Sequence, residues 1–166
     1  MKILAGFVLG VLAVPIVFVV AALLGLLPFA AMQGPPAAEA TLARAALKAS
    51  LSRAAAGLSS PIAASDENLA RGVKLYRDGC AGCHGVPGHK STWGTKSFYP
   101  RVPQITELEP PISAPLAFVA IDHGIRYSGM AGNEGLMPSE DIWRIALMLS
   151  RVGSLPAPLD SALAAP

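Results

Sequence analysis

Cys80-Ala81-Gly82-Cys83-His84 reads C-x-x-C-H and contains both cysteines of the 166-residue chain. This spacing is the attachment signature of c-type haem: two thiols add across two vinyl groups as thioethers, and the next residue presents an imidazole to the iron. Two intervening residues bend the chain enough for both sulfurs to reach one porphyrin edge, with His84 beneath the metal as proximal ligand. The competing readings are a redox dithiol and half of a zinc site. Zinc needs four ligands, there is no second cysteine pair, and adjacent Cys83 and His84 make poor partners on one ion even if His89 and His123 are recruited. A thioredoxin-like pair sits at a strand end opening a helix, whereas here a helical pattern precedes the pair.

That pattern has a clear start. Ser65 is a good N-cap, and Asp66 and Glu67 suit the positive end of the helix dipole. Leu69, Gly72, Val73 and Tyr76 recur at i, i+3, i+4 and i+7, and Gly79 ends the helix just before the motif. After the motif, residues 85–114 read as a long irregular loop with prolines at 87, 100, 103, 110 and 111, which in a compact domain implies a loop that wraps something. A short helix is expected from Pro115 to His123, a glycine-punctuated loop to Leu136, and a last helix from Ser139 with Ile142, Ile145, Ala146 and Leu149 as its stripe. The end of the chain, residues 153–166, reads as a disordered tail. No strand alternation is visible, so the fold class is all-α.

The amino-terminal segment is of another kind. From Ile3 to Ala31 there are 29 residues without a charge. As one helix they would span ~43 Å, enough to cross a bilayer with some tilt. A secretory signal has an apolar stretch of only about 7–15 residues. Residues 1–32 are therefore expected to be an uncleaved transmembrane signal anchor, 33–61 an alanine-rich linker with a helix from Thr41 to Ala56, and 62–152 the folded domain. The net charge of +2 hides a split: residues 1–60 carry four basic residues against Glu39, and residues 61–166 carry nine basic against ten acidic. So nearly neutral a domain excludes nucleic acid as a partner.

Iron held by His84 needs a ligand on its opposite face, and five methionines are available for His/Met coordination. Met1 and Met32 belong to the anchor and its exit, and Met148 lies within the last helix. Met130, in Ser128-Gly129-Met130-Ala131-Gly132, is the leading candidate because its glycines let backbone approach a porphyrin closely. Met137 and His123 are its rivals. Trp93, Tyr99, Arg101 and Arg126 are candidates for bonding the haem propionates.

C-x-x-C-H after a helix ending in Tyr76, the proline-containing loop, Gly124-Ile125-Arg126-Tyr127-Ser128-Gly129-Met130, and Asp141-Ile142-Trp143 in a final helix together resemble a class I, monohaem cytochrome c of the membrane-anchored bacterial type. The resemblance covers about residues 62–152. It implies a small all-α fold around one covalent haem, with first and last helices crossing so that Gly72 and Tyr76 meet Trp143 and Ala146. It also implies a proline carbonyl aimed at the proximal imidazole, for which Pro103 is the best match and Pro100 a rival. The family often has Pro after its distal Met, where this chain has Ala131. Because c-type haem is installed outside the cytoplasm, the resemblance places the haem domain in a bacterial periplasm, anchored to the inner membrane.

These readings converge on a one-electron carrier rather than an enzyme. Both axial positions are filled, no nucleophile or charged cluster stands out, and no small-molecule substrate is expected. The partners are a redox-protein donor and acceptor, with the membrane engaged through the amino-terminal helix. The alternatives are a haem c subunit of a membrane-bound dehydrogenase or oxidase complex, and a haem-based gas sensor in which Met130 dissociates.

Overall fold

The computed structural model describes residues 2–108 and 110–165, with the side chains of the first helix described from Gly10 onward. It divides into two units, Met1–Ala30 and Ala31–Pro166. Among the described residues it is helical, with a single isolated β-bridge between Val86 and His89.

In the first unit α1 runs Lys2–Leu23 and contains Pro15. It closes well before Ala31, against the expectation of one helix through the uncharged run. Gly25 turns left-handed at φ 71°, its N–H donates to Ala22 O (3.0 Å), and Leu26 N donates to Ala21 O (2.9 Å). Those two bonds satisfy the last carbonyls and terminate the helix. Among the described residues no helix is long and apolar enough to cross a membrane.

The second unit begins with α2, Ala37–Ala54, which follows Pro36 and buries none of its own side chains. It nonetheless lies against α6 (Ala114–His123). The stretch before it is fastened as well. Arg101 donates Nη2 to Met32 O (2.6 Å) and Nη1 to Ala31 O (3.2 Å), and the Tyr99 hydroxyl donates to the Glu39 carboxylate. Residues 31–39 are thus held against residues 99–101.

The core forms where α3, Asp66–Gly79, crosses α7, Ser139–Leu149. Ser65 caps α3 by accepting from Asn68 N (3.3 Å). Leu69, Gly72, Val73 and Tyr76 are buried, as their spacing requires. On α7 the residues Ile142, Ile145, Ala146 and Met148 have no exposure. The crossing is tight at Gly72, where an added Cβ would overlap the Arg144 carbonyl and stand 3.1 Å from Met148 Cβ.

The face α7 offers to Gly72 is therefore Arg144 and Met148, not the Trp143 and Ala146 that the family resemblance implied. Successive helical residues point about 100° apart, and Trp143 is turned toward α6, where Phe118 stacks on it with centroids 4.2 Å apart. Ala117 and Ala146 complete that smaller cluster.

Two further expectations are corrected. The long loop after the motif is not wholly irregular, since it contains α4 (Ala81–His84), α5 (Thr92–Lys96) and a 3-10 turn at Ile105–Glu107. The tail is not disordered but carries α8, Ala157–Ala164, packed on α3. Leu155, Leu159 and Leu163 repeat every four residues and join the core, with Leu163 fully buried. Arg77 Nη1 donates to Ala162 O (2.6 Å). The Leu163→Ala substitution is expected to lower unfolding free energy by about 2–3 kcal/mol, the cost of emptying a buried leucine site; denaturant titration checks it, and a disordered tail would give no change.

One polar network braces the crossing. Asp141 accepts from Arg144 Nη1 (2.6 Å) and Arg71 Nη2 (3.2 Å), and Arg144 Nε donates to Asn68 Oδ1 (3.0 Å). Burial pushes the Asp141 carboxyl up, but the two guanidiniums outweigh it and hold the group below its usual value. A depressed carboxylate contributes stability above its unfolded value and loses it as pH falls through the folded one. Asp141→Asn should therefore destabilise the domain at neutral pH, with variant and parent converging on acidification, as thermal melts across that range would record.

Candidate functional site

Tyr76 lies in the last turn of α3, one turn before Cys80. Cys80 N donates to Tyr76 O (2.7 Å), and the chain re-enters a single turn in which Cys83 N and His84 N both donate to Cys80 O (3.1 and 2.9 Å). A turn this short leaves most of its carbonyls without helical partners. Three side chains from elsewhere supply the bonds. The Tyr76 hydroxyl donates to Gly85 O (2.7 Å), Ser91 Oγ to Gly82 O (2.6 Å), and Gln104 Nε2 to Cys83 O (3.1 Å). The motif is clamped by its backbone, which leaves its side chains for chemistry.

Both cysteines are free thiols and half-buried. Burial and the neighbouring Cys83 push the Cys80 thiol up to about 11. Burial also raises the Tyr76 phenol, so it remains a hydrogen-bond donor. His84 Nδ1 stands 2.8 Å from Pro103 O. A carbonyl only accepts, so Nδ1 carries the proton, and Nε2 is the nitrogen with a lone pair for a metal. Burial lowers the His84 pKa, with the Pro103 bond opposing it, which favours the neutral ring. Pro100, the rival for this contact, lies exposed.

Gln104 follows Pro103 and escaped the sequence reading, although it is almost completely buried. Its Oε1 accepts from Ser91 N (2.7 Å), and its Nε2 donates to Val102 O (2.9 Å) as well as to Cys83 O. One amide so joins the motif, the entrance to α5 and the loop that carries the proximal carbonyl. The available signal was a lone Gln beside the proline, too common to single out. Gly94 is the complementary contact, since a Cβ there would overlap the Cys83 carbonyl.

Met130 is half-buried and packs against the same core cluster as Cys80 and Ala81. Its loop is internally tied: Ile125 N donates to Met130 O (3.0 Å), Met130 N to Ser128 Oγ (3.1 Å), and Ser128 Oγ to Ile125 O (2.7 Å). Met137 reaches that cluster too, and Met148 is fully buried within it. His123 is more than half exposed beside Asp122, and His89 is exposed. Among the propionate candidates, Tyr99 and Arg101 already serve protein partners, Arg101 bonding Phe98 O and Lys96 O besides residues 31 and 32. Trp93 and Arg126 are exposed.

The donor set fits a porphyrin better than a bare ion. Among the described residues no three His, Cys, Asp or Glu side chains converge to hold one metal, so Cys80, Cys83 and His84 do not form the corner of a tetrahedral site. They instead offer two thiols for carbon and one neutral imidazole for iron, held on a clamped turn.

Residues 67–147, 81 of the 166, match the family model described as cytochrome c oxidase, cbb3-type, subunit III. No curated protein and no solved structure matches the chain. The match spans α3, the C-x-x-C-H turn, the Pro103 and Met130 loops and most of α7, so the elements that build the site are those the family model describes. Residues 67–147 are thus similar to a cytochrome c domain of that family, and the group such a domain carries is covalently attached c-type haem with its iron.

Proposed function

We propose that the chain is a one-electron carrier in which Cys80 and Cys83 hold the haem, His84 and Met130 are its axial ligands, and the domain relays electrons between redox proteins at the periplasmic face of a bacterial membrane. The observation that carries this reading is the 2.8 Å contact between His84 Nδ1 and Pro103 O. It fixes the ring plane and tautomer of a would-be ligand, and a carbonyl at Nδ1–H makes the opposite nitrogen a better donor. When bound, the haem supplies one reversible electron site.

The residues of the chain set the terms of that exchange. The Tyr76, Ser91 and Gln104 bonds keep the turn from relaxing as the metal's charge changes. A neutral thioether from Met130 favours the ferrous form relative to a second imidazole and raises the potential. The half-buried placement of Met130 on the main core restricts water, which acts in the same direction. The uncharged run from Ile3 to Ala31 supports an anchor that keeps the domain at the bilayer surface.

A second reading is favoured by the family match itself: the domain is the haem c subunit of a membrane oxidase complex. The two readings share the site and differ in whether the chain co-purifies with larger subunits.

Met130→Ala should lower the reduction potential on the order of 100 mV, within the roughly 0.8 V that axial ligands span. Redox titration of the haem-loaded protein measures it, and an unchanged potential would make Met137 the ligand to test next. Replacing residues 1–30 with a cleavable secretory signal should move the haem-loaded protein from the membrane to the soluble periplasmic fraction. Continued sedimentation with membranes would mean that the anchor lies elsewhere.

A further inference from the structure

A mechanical connection runs from the cysteine turn to the methionine loop along the outside of the site. It begins at α5, which is fastened to the turn by the close approach of Gly94 to Cys83 O, by Gly94 N donating to Ser91 Oγ (3.0 Å), and by Ser91 Oγ donating to Gly82 O (2.6 Å). Ser97 N donates to Trp93 O (2.9 Å), closing α5, and the next residue is Phe98. Trp93 meets Phe98 edge-on, with centroids 4.8 Å apart and planes at 67°. Arg101 Nη1 donates to Phe98 O (3.0 Å) and fixes its backbone.

The far side of the Phe98 ring lies on Gly129. A Cβ at that position would overlap Phe98 Cδ1, so the aromatic edge occupies the space that any other residue would fill. Gly129 is bonded directly to Met130, whose own N–H and carbonyl are tied within the loop by Ser128 and Ile125. With the Met130 backbone tied on both sides, displacing the glycine displaces the Cα from which the thioether extends.

We propose that Phe98, braced by Trp93, is a positioning residue for the Met130 thioether: its ring, seated against Gly129, sets the distance of the sulfur from the C-x-x-C-H turn. The inference rests on Met130 as the distal ligand. It assigns a task to an aromatic pair that the site chemistry leaves unused, and it explains why glycine stands at position 129. An aromatic edge contact is directional and rigid, so it holds the loop at one distance rather than merely covering it.

The test uses the full-length, haem-loaded protein with Phe98→Ala, Phe98→Tyr, Gly129→Ala and the Gly129→Ala/Phe98→Ala pair, with Met130→Ala as control. The readouts are the charge-transfer band of thioether-ligated ferric haem, the reduction potential, and the rate at which added imidazole displaces the distal ligand. Phe98→Ala should speed displacement by about three- to tenfold, the rate equivalent of one aromatic contact, weaken the band and lower the potential. Phe98→Tyr, which keeps the ring, should behave as the parent. Gly129→Ala should be as impaired as Phe98→Ala or more, and removing the ring in the double variant should relieve it.

Such non-additivity is what two groups in direct contact give. If Met130→Ala abolishes the band while Phe98→Ala leaves band, potential and displacement rate unchanged, the positioning role is overturned and the ligand stands. Strict additivity of the pair overturns it equally. If Met130→Ala leaves the band intact, the ligand assignment fails and the positioning role with it.

Discussion

A single acceptor bond orders this molecule: the carbonyl of Pro103 on the imidazole of His84. A ring on a short turn has two rotatable bonds and two usable nitrogens, and nothing within C-x-x-C-H chooses between them. The choice is made by a peptide group 19 residues further on. Bringing that group back requires the intervening loop to fold, and between residues 85 and 103 only Gly85 and Gly94 are buried. It is instead held by polar ties of its own, through Gln104, Ser91 and the Gly94 contact with Cys83 O. Buried amides are costly unless satisfied, and Gln104 meets this requirement by bonding three separate stretches of backbone.

The helical frame supports that loop from behind. Tyr76 belongs to both structures, with its ring in the α3–α7 core and its hydroxyl on Gly85 O. Packing at the Gly72 crossing therefore registers the motif against the core. The Asp141 network lies at the same crossing and restricts how α3 and α7 slide past one another. Local polar ties and the apolar core thus meet at one residue, so the geometry of the site and the stability of the domain are not independent.

Much of this was legible in the sequence, and the parts that were not share a cause. The α3 stripe, its Ser65 cap, the start of α7 and the cysteine turn are written in local patterns of period or spacing, and they stand where those patterns put them. Gln104 and Gly94 act through contacts distant in sequence, for which a single chain carries no local mark, and Gly72 was placed at the crossing with the last helix through the family resemblance. Trp143 was misplaced by one helical position because an amphipathic stripe gives a face and not a neighbour; both α3 and α6 compete for α7. The tail was misread on composition, Pro and Ala outweighing three leucines four apart whose partner surface exists only after α3 has formed. In α1 the uncharged run overstated the helix, since hydropathy does not register a left-handed glycine at position 25.

The placement of α8 on α3 bears on the order in which the domain folds. The Arg77–Ala162 bond joins positions 85 apart, and Leu163 beside it is fully buried. Contacts of such long sequence separation form late. Until that segment docks, part of the apolar stripe of α3 stays open to water, and this half-assembled state is the one from which aggregation or proteolysis would draw.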